Sequence, residues 1–145
     1  MCPSDLTVVT EIELDSYNFP WSYGVFRDCL LAGYQSLVLV ISGTVTGYGI
    51  MSVTASEAHL LNLCVHPDAQ WLGYGRRLLN ALLVRAEESK VRQVFLEVRP
   101  SNQIALNLYH SAGFEQIGIR PSYYRAEEGR EDAVILSIAL HLSKQ

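Results

Sequence analysis

The sequence predicts an α+β (mixed α/β) domain: a single mixed sheet with a parallel centre and helices on both faces. Three observations predict it. Apolar stretches with helix and strand periods follow the order helices, hairpin, two strand-to-helix units and a closing strand pair, and strand-to-helix repetition is the pattern of parallel strands joined by crossover helices. The run Leu60–Leu83, LLNLCVHPDAQWLGYGRRLLNALL, joins strand, glycine turn and amphipathic helix without interruption. At 145 residues the chain fits one domain, residues 1–145, which buries roughly 70% of its unfolded surface and so forms a core without disulfide or metal staples.

Taken in order, Asp5 caps a first helix in which Leu6, Val9 and Ile12, with Glu13, recur at helical spacing. Phe19-Pro20-Trp21 breaks it. Ser22 caps a second helix with an inner stripe of Val25, Phe26, Cys29 and Leu30, ending at Gly33. Ser36–Ile41 and Val45–Thr54 are β-branched runs around a Ser42-Gly43-Thr44 turn, a hairpin pattern. In the next strand Leu61, Leu63 and Val65 alternate with Asn62, Cys64 and His66, and Pro67 stops the ladder. Leu78, Leu79, Leu82 and Leu83 then return at helical spacing. Gln93–Arg99 reads as a strand stopped by Pro100, Ser101 or Asn102 caps a helix through His110, and Gly113 ends it. Phe114–Ile119 and Asp132–Leu140 read as closing strands, joined through Tyr123, Tyr124 and a charged loop.

Composition narrows the classes. Aromatic residues make up 10% and charged residues 18%, which disfavours disorder. No run of about 18 apolar residues spans a bilayer, and MCPSDLTVV lacks the basic-then-apolar pattern of a signal peptide, so the expectation is a cytoplasmic protein with no membrane partner. Cys2, Cys29 and Cys64 are widely spaced and odd in number, which points to reduced thiols, with Cys29 and Cys64 buried and inert. His59, His66, His110 and His141 have no ligand spacing with one another or with cysteine, so no metal is expected. A net charge of −4 argues against direct nucleic-acid binding and suits a basic partner.

Candidate chemistry concentrates in two places. Between strand and helix, Gln70-Trp71-Leu72-Gly73-Tyr74-Gly75 leaves the first helical N–H groups free at the positive end of the dipole, beside Arg76 and Arg77, an arrangement suited to a phosphate or pyrophosphate. A plain tight connection has the same pattern, so both readings stand. No Gly-Lys-Ser/Thr follows and the third glycine of a dinucleotide fingerprint is missing. Farther on, Glu97 interrupts the apolar strand Val94–Val98, where a buried carboxylate is costly unless partnered or used, although an outward-facing position also accounts for it. Tyr109, near the end of the next helix, has a hydroxyl able to hand a proton to a leaving group, or is a core aromatic packed with Leu106 and Phe114.

The Q-x-x-G-x-G pattern in its strand-loop-helix context resembles the acetyl-CoA pyrophosphate loop of the GCN-five-related N-acetyltransferase (GNAT) superfamily. LNLCVHPDAQWLGYGRRLL, FLEVRPSNQIALNLYHSAGF and SYYRAEEGREDAVILSIAL, with FPW at 19–21, resemble its RimI-type group, which acetylates the N-terminal alanine of a small-subunit ribosomal protein. This resemblance implies the GNAT fold and acetyl-CoA as cosubstrate. It implies that Leu63, Cys64 and Val65 offer backbone to the acetyl and pantetheine groups, and that Trp71, Leu72, Gly73, Tyr74, Gly75 and Arg76 wrap the pyrophosphate. Asn102 would contact the pantetheine arm while sharing its cap role with Ser101. Glu97 falls on the general base and Tyr109 on the general acid of a direct transfer in a ternary complex, with no acetylated Cys64. The acceptor implied is a basic N-terminal peptide, beside Tyr123-Tyr124 and the acidic groups of Gly129–Asp132, and the chain is expected to be a monomer. A lysine or small-molecule amine as acceptor, and a noncatalytic coenzyme A-binding module, are the alternatives. Two departures stand out: Trp71 replaces a basic or polar residue, and only Met1–Ser4 precede Asp5 where the family has a strand, so that strand is missing or shortened, or the start lies upstream.

Overall fold

In the computed structural model, which describes residues 1–140, two helices come first: α1 (Leu6–Ser16) and α2 (Tyr23–Leu31). The hairpin β1 (Gln35–Ile41) and β2 (Thr44–Val53) follows, then β3 (Glu57–Val65), α3 (Tyr74–Glu88), β4 (Gln93–Val98), α4 (Gln103–Ser111), β5 (Glu115–Arg125) and β6 (Arg130–Ala139). One sheet runs in the order β1-β2-β3-β4-β6-β5. Its centre is the parallel pair β3/β4, and the β1/β2, β2/β3, β4/β6 and β5/β6 pairs are antiparallel. Helix α3 supplies the crossover that two parallel neighbours require.

The two sheet faces carry separate cores. On one, α3 and α4 cover Met51, Leu60, Val94, Leu96 and Leu136 with Leu79, Leu82 and Tyr109. On the other, Leu6, Val9 and Ile12 of α1 and Phe26 and Cys29 of α2 cover Tyr48, Ile50 and Cys64. The stripe read for α2 thus holds at Phe26 and Cys29, whereas Val25 is exposed. Ser22 Oγ accepts from Val25 N at 3.3 Å to cap α2, and Gly33, at φ 78°, ends it in the left-handed conformation.

Sequence and structure diverge at two points. In β3 the expected alternation of Leu61, Leu63 and Val65 with Asn62, Cys64 and His66 is broken by a bulge: Ile50 pairs with Asn62 and Met51 with Leu60, leaving Leu61 unpaired and 41% exposed. One extra residue reverses the alternation, so Leu60 and Leu63 both face α3 while Cys64 faces α1. Strand β5 continues through Tyr123 and Tyr124 instead of ending at Ile119. Its ladder breaks between Arg120 and Tyr124, where Pro121 has no N–H and Ser122 takes φ 51° and donates its amide to Asp132 Oδ1 at 2.9 Å, then resumes at Tyr124 opposite Glu131. At the start, a 3-10 turn over Pro3–Asp5 stands where the family has a strand, in line with the missing or shortened strand expected there, and the Met1 ammonium donates to Ser36 O of edge strand β1 at 2.8 Å.

Glycines bring α3 close to the sheet. A Cβ on Gly47 would stand 2.8 Å from the Cys64 carbonyl oxygen and 3.1 Å from Leu78 Cδ1, whereas one on Gly49 would meet Leu82 Cδ1 at 2.6 Å. Backbone cannot yield as a leucine tip can. Gly47→Ala is therefore expected to lower unfolding free energy by about 2–3 kcal/mol, and Gly49→Ala by roughly 1 kcal/mol as Leu82 changes rotamer. Urea unfolding of the two variants checks the ranking; equal losses would contradict it.

Candidate active site

Strands β3 and β4 pair only from Glu57–Leu60 with Gln93–Leu96, yet β3 runs on to Val65 and β4 to Val98. Beyond Leu60 the two part. The β3 backbone on the open side has lost its strand partner: Tyr17 donates its hydroxyl to Leu63 O at 3.3 Å, and Gln70 its side-chain amide to Val65 O at 3.3 Å. A strand residue directs its N–H and C=O to the same side, so the Leu63 and Val65 amides face the gap too.

At the far end of the gap lies the start of α3. Trp71 and Gly73 take φ of 70° and 80°, Gly73 is the cap, and the first closing bond runs from Arg77 N to Gly73 O at 3.2 Å. The amides of Tyr74, Gly75 and Arg76 therefore have no intrahelical acceptor and form an anion-attracting turn. A Cβ on Gly75 would stand toward Leu108 and Val65, which line the cleft, at ordinary contact distances of 3.4 and 4.0 Å. Arg76 is tethered to α4, donating to Ser111 Oγ.

A cleft of about 840 Å³ joins these parts. It is lined by Leu63, Cys64, Val65, Trp71, Gly73, Tyr74, Gly75, Arg76, Asn102 and Tyr109 from the residues singled out in the sequence. Leu72 is outside the lining and 64% exposed, because the left-handed turn at Trp71 and Gly73 directs it to solvent. Tyr17, Phe19, Arg99 and Ser101 line the cleft without having been singled out for it. Phe19, Gln70 and Arg99 had a signal in the FPW, Q-x-x-G-x-G and FLEVRPSN patterns; Tyr17 had none.

Asn102 caps α4 by accepting from Ala105 N at 3.2 Å, and the cap is not shared with Ser101. Ser101 instead gives its amide and hydroxyl to Glu131, at 2.9 and 3.0 Å. Tyr109 lies on α4, buried and edge-on to Phe114 with ring centroids 5.6 Å apart, so it is at once a core aromatic and a cleft residue. Burial, and after it the neighbouring Tyr124 and Cys64, pushes its hydroxyl well above the usual tyrosine range. Burial likewise pushes the Cys64 thiol up, against the lowering effect of Ser16, whose Oγ is 3.3 Å from Sγ.

Glu97 stands on the opposite face. Val94, Leu96 and Val98 of β4 face α3 and α4, which turns Glu97 into a second groove of about 330 Å³ with Trp21, His59, Leu61, Arg120, Tyr123 and Tyr124. Its strand is central and its side chain is 27% exposed, so it is neither at the sheet edge nor sealed in the core. Arg120 Nε approaches Glu97 Oε1 at 3.6 Å. Burial and then the Glu97 charge push the Tyr124 hydroxyl up to about 12, and raise Tyr123 in the same way.

A clasp centred on Arg99 stands where cleft and groove approach each other. Arg99 Nη1 donates to Arg125 O at 2.6 Å and meets Glu131 Oε1 at 3.3 Å, while its guanidinium lies 4.5 Å from the Tyr124 ring and 5.6 Å from Phe19. The acidic pair expected to face a peptide has internal partners: Glu131 holds Ser101 and Arg99, and Asp132 holds Ser122, which satisfies the strand bulge and the start of α4. Among the described residues no three His, Cys, Asp or Glu side chains converge to hold a metal, and no helix is long and apolar enough to cross a membrane. His141 lies outside the described residues.

Burial raises the Glu131 carboxyl, but the Ser101 hydroxyl and amide and the Arg99 guanidinium outweigh it and hold the group below its ordinary value of 4.5. A lowered folded value means stability that is present above that ordinary value and lost as pH falls through the folded one. Glu131→Gln is expected to lose roughly 1 kcal/mol of stability at neutral pH, with the gap to the parent closing below about pH 4.5. Urea unfolding across pH 3–8 reads this; a gap that does not change with pH would contradict it.

Comparison with known proteins agrees with this geometry. The model of the acetyltransferase (GNAT) family matches residues 6–114. The [ribosomal protein bS18]-alanine N-acetyltransferase of Escherichia coli strain K12 is 37% identical over 139 residues, covering 96% of this chain and 94% of that protein. The crystal structure of the ribosomal-protein-S18-alanine N-acetyltransferase from Escherichia coli superposes with a TM-score of 0.93 at 36% identity, covering 100% of this chain and 94% of that one. The Salmonella typhimurium protein yncA, solved with its cofactor acetyl-CoA, shares the fold at a TM-score of 0.81 and 22% identity, covering 100% and 94%. The chain belongs to the GNAT family of acetyltransferases.

Proposed function

We propose that this chain moves the acetyl group of acetyl-CoA directly to the N-terminal alanine amine of a small-subunit ribosomal protein. The observation that carries the reading is the parting of β3 from β4, which opens a long cleft running from the start of α3 to Tyr109 and leaves the Glu97 groove beside it on the α1–α2 face of the sheet. Two substrates entering by the cleft and by the groove meet at the gap. The bacterial relatives that match over nearly the whole chain are named for this acceptor.

The cleft fits acetyl-CoA in shape and donor set. Its volume is in the range of small-molecule sites, the unpaired Tyr74, Gly75 and Arg76 amides suit a pyrophosphate, and the β3 amides suit an amide-rich arm. When bound, acetyl-CoA supplies a thioester whose carbonyl carbon is open to attack by an amine. In this reading the Leu63 and Val65 amides polarise the carbonyl oxygen, and Asn102 offers its amide to the arm. Glu97 takes the proton from the α-ammonium, through water where needed, since that group titrates only near about 8. The N–C bond forms as the C–S bond breaks; Tyr109, kept protonated by burial, gives its proton to the leaving sulfur, and the second proton lost by the acylated nitrogen returns, through water, to the Tyr109 oxygen.

The raised Cys64 thiol is a poor nucleophile, which supports direct transfer over an acetyl-cysteine step. The protein acts, in this reading, as one domain over residues 1–145, as a monomer in the cytoplasm, on a basic acceptor terminus suited to its net charge of −4.

The test is the intact mass of a basic peptide beginning Ala-Arg after incubation with enzyme and acetyl-CoA, beside the same peptide with a blocked N-terminus. One acetyl group on the free peptide alone is expected; none on either would remove the assignment, and transfer to lysine side chains would change the acceptor class. Glu97→Gln and Tyr109→Phe are each expected to lower kcat by roughly 10²–10⁴-fold with little change in acetyl-CoA KM. Full activity in either variant would take that residue out of the mechanism.

A further inference from the structure

One buried carboxylate has no part in the steps above. Glu13 is 2% exposed within α1 and is encircled by donors: Tyr48 hydroxyl to Oε1 at 2.5 Å, Asn62 Nδ2 to Oε1 at 2.9 Å, and the Trp21 backbone amide to Oε2 at 2.8 Å. The partners come from β2, from β3 just past its bulge, and from the loop joining α1 to α2.

Stability alone does not account for this choice, because a buried ionic cluster is often no more stabilising than apolar residues of the same volume. Geometry separates the partners. Tyr48 is fully buried and touches neither cleft nor groove, and Asn62 is fixed in the sheet. Those two hold Oε1. The remaining oxygen, Oε2, holds Trp21, which lines the groove together with Glu97. The joining loop has Pro20 and no regular ladder to fix it, and its Asn18 and Phe19 line the cleft.

We infer that Glu13 is a positioning residue for the acceptor, anchored by Tyr48 and Asn62 and setting the Trp21 wall of the Glu97 groove. This rests on reading that groove as the acceptor site. Trp21 offers a backbone amide, a donor that cannot be reversed, whereas the Tyr48 hydroxyl rotates and the Asn62 amide can turn over. A glutamine at position 13 can therefore keep its oxygen on Trp21 and its NH₂ toward the other two. An apolar residue cannot hold Trp21 at all.

The experiment measures kcat and both KM values, with thermal midpoints, for Glu13→Leu, Glu13→Gln and Tyr48→Phe against the parent chain on the Ala-Arg peptide. Glu13→Leu is expected to raise peptide KM by about tenfold, with acetyl-CoA KM within about twofold of the parent. Glu13→Gln is expected to restore peptide KM to within about threefold, and Tyr48→Phe to lower the midpoint while leaving peptide KM within about twofold. Should Glu13→Leu not fold, Glu13→Asp, one methylene short of Trp21, is expected to raise peptide KM in its place. An unmoved peptide KM in the folded Leu or Asp variant, or a rise in Tyr48→Phe that matches its loss of stability, would overturn the inference alone. A parent chain without turnover on the peptide would overturn the acceptor reading and this inference with it.

Discussion

The structure depends on the unpaired backbone left where β3 and β4 part beyond Leu60 and Leu96. Buried N–H and C=O groups in a sheet centre demand partners, and a central strand that loses its neighbour is unfavourable unless something else bonds to it. Tyr17 and Gln70 take the Leu63 and Val65 carbonyls. The amides on the same side remain directed into the cleft, ready for a ligand. The bulge at Leu61 sets this up by bending β3 and reversing its side-chain phase, so Leu63 faces the α3 core and Cys64 the α1 core.

From that gap the division of labour follows. Helix α3 starts where β3 ends, so the positive end of its dipole and its unpaired amides face one side of the sheet. Strand β4 alternates, so Glu97 faces the other. Each candidate proton carrier then has the environment its role needs. Tyr109 is buried, which raises its hydroxyl and favours the protonated form, and Glu97 keeps partial contact with solvent and a cation, Arg120, at 3.6 Å. The Arg99 clasp over Tyr124 and Phe19 joins the α1–α2 loop to the β5–β6 hairpin without filling either opening.

Much of this was legible in the sequence because it rests on local chemistry. Alternation and glycine punctuation located the sheet strands and helices, Ser22 and Asn102 marked helix starts, and the glycine pair at 73 and 75 marked the anion turn. Glu97 and Tyr109 stood out as polar atoms in apolar settings. What stayed hidden depends on pairing between distant segments. The bulge at Leu61 is set by β2 register, and the run of β5 past Pro121 depends on Asp132 ten residues away receiving the Ser122 amide. The same holds for Glu131, which reads as a surface charge and is a latch on Ser101 and Arg99, thirty-odd residues upstream. Glu13 fell on the apolar stripe of α1, and nothing local announces that Tyr48, Asn62 and Trp21 converge on it.

The most direct test of the central claim, that the two substrates approach the gap by the cleft and by the groove, is a backbone amide NMR titration with coenzyme A followed by the Ala-Arg peptide. Coenzyme A is expected to shift the amides of Leu63, Val65 and Tyr74–Arg76, and the peptide then to shift Trp21, Glu97, Tyr123 and Tyr124 with the first set still saturated. Peptide shifts confined to the cleft residues, or displacement of coenzyme A by the peptide, would contradict it.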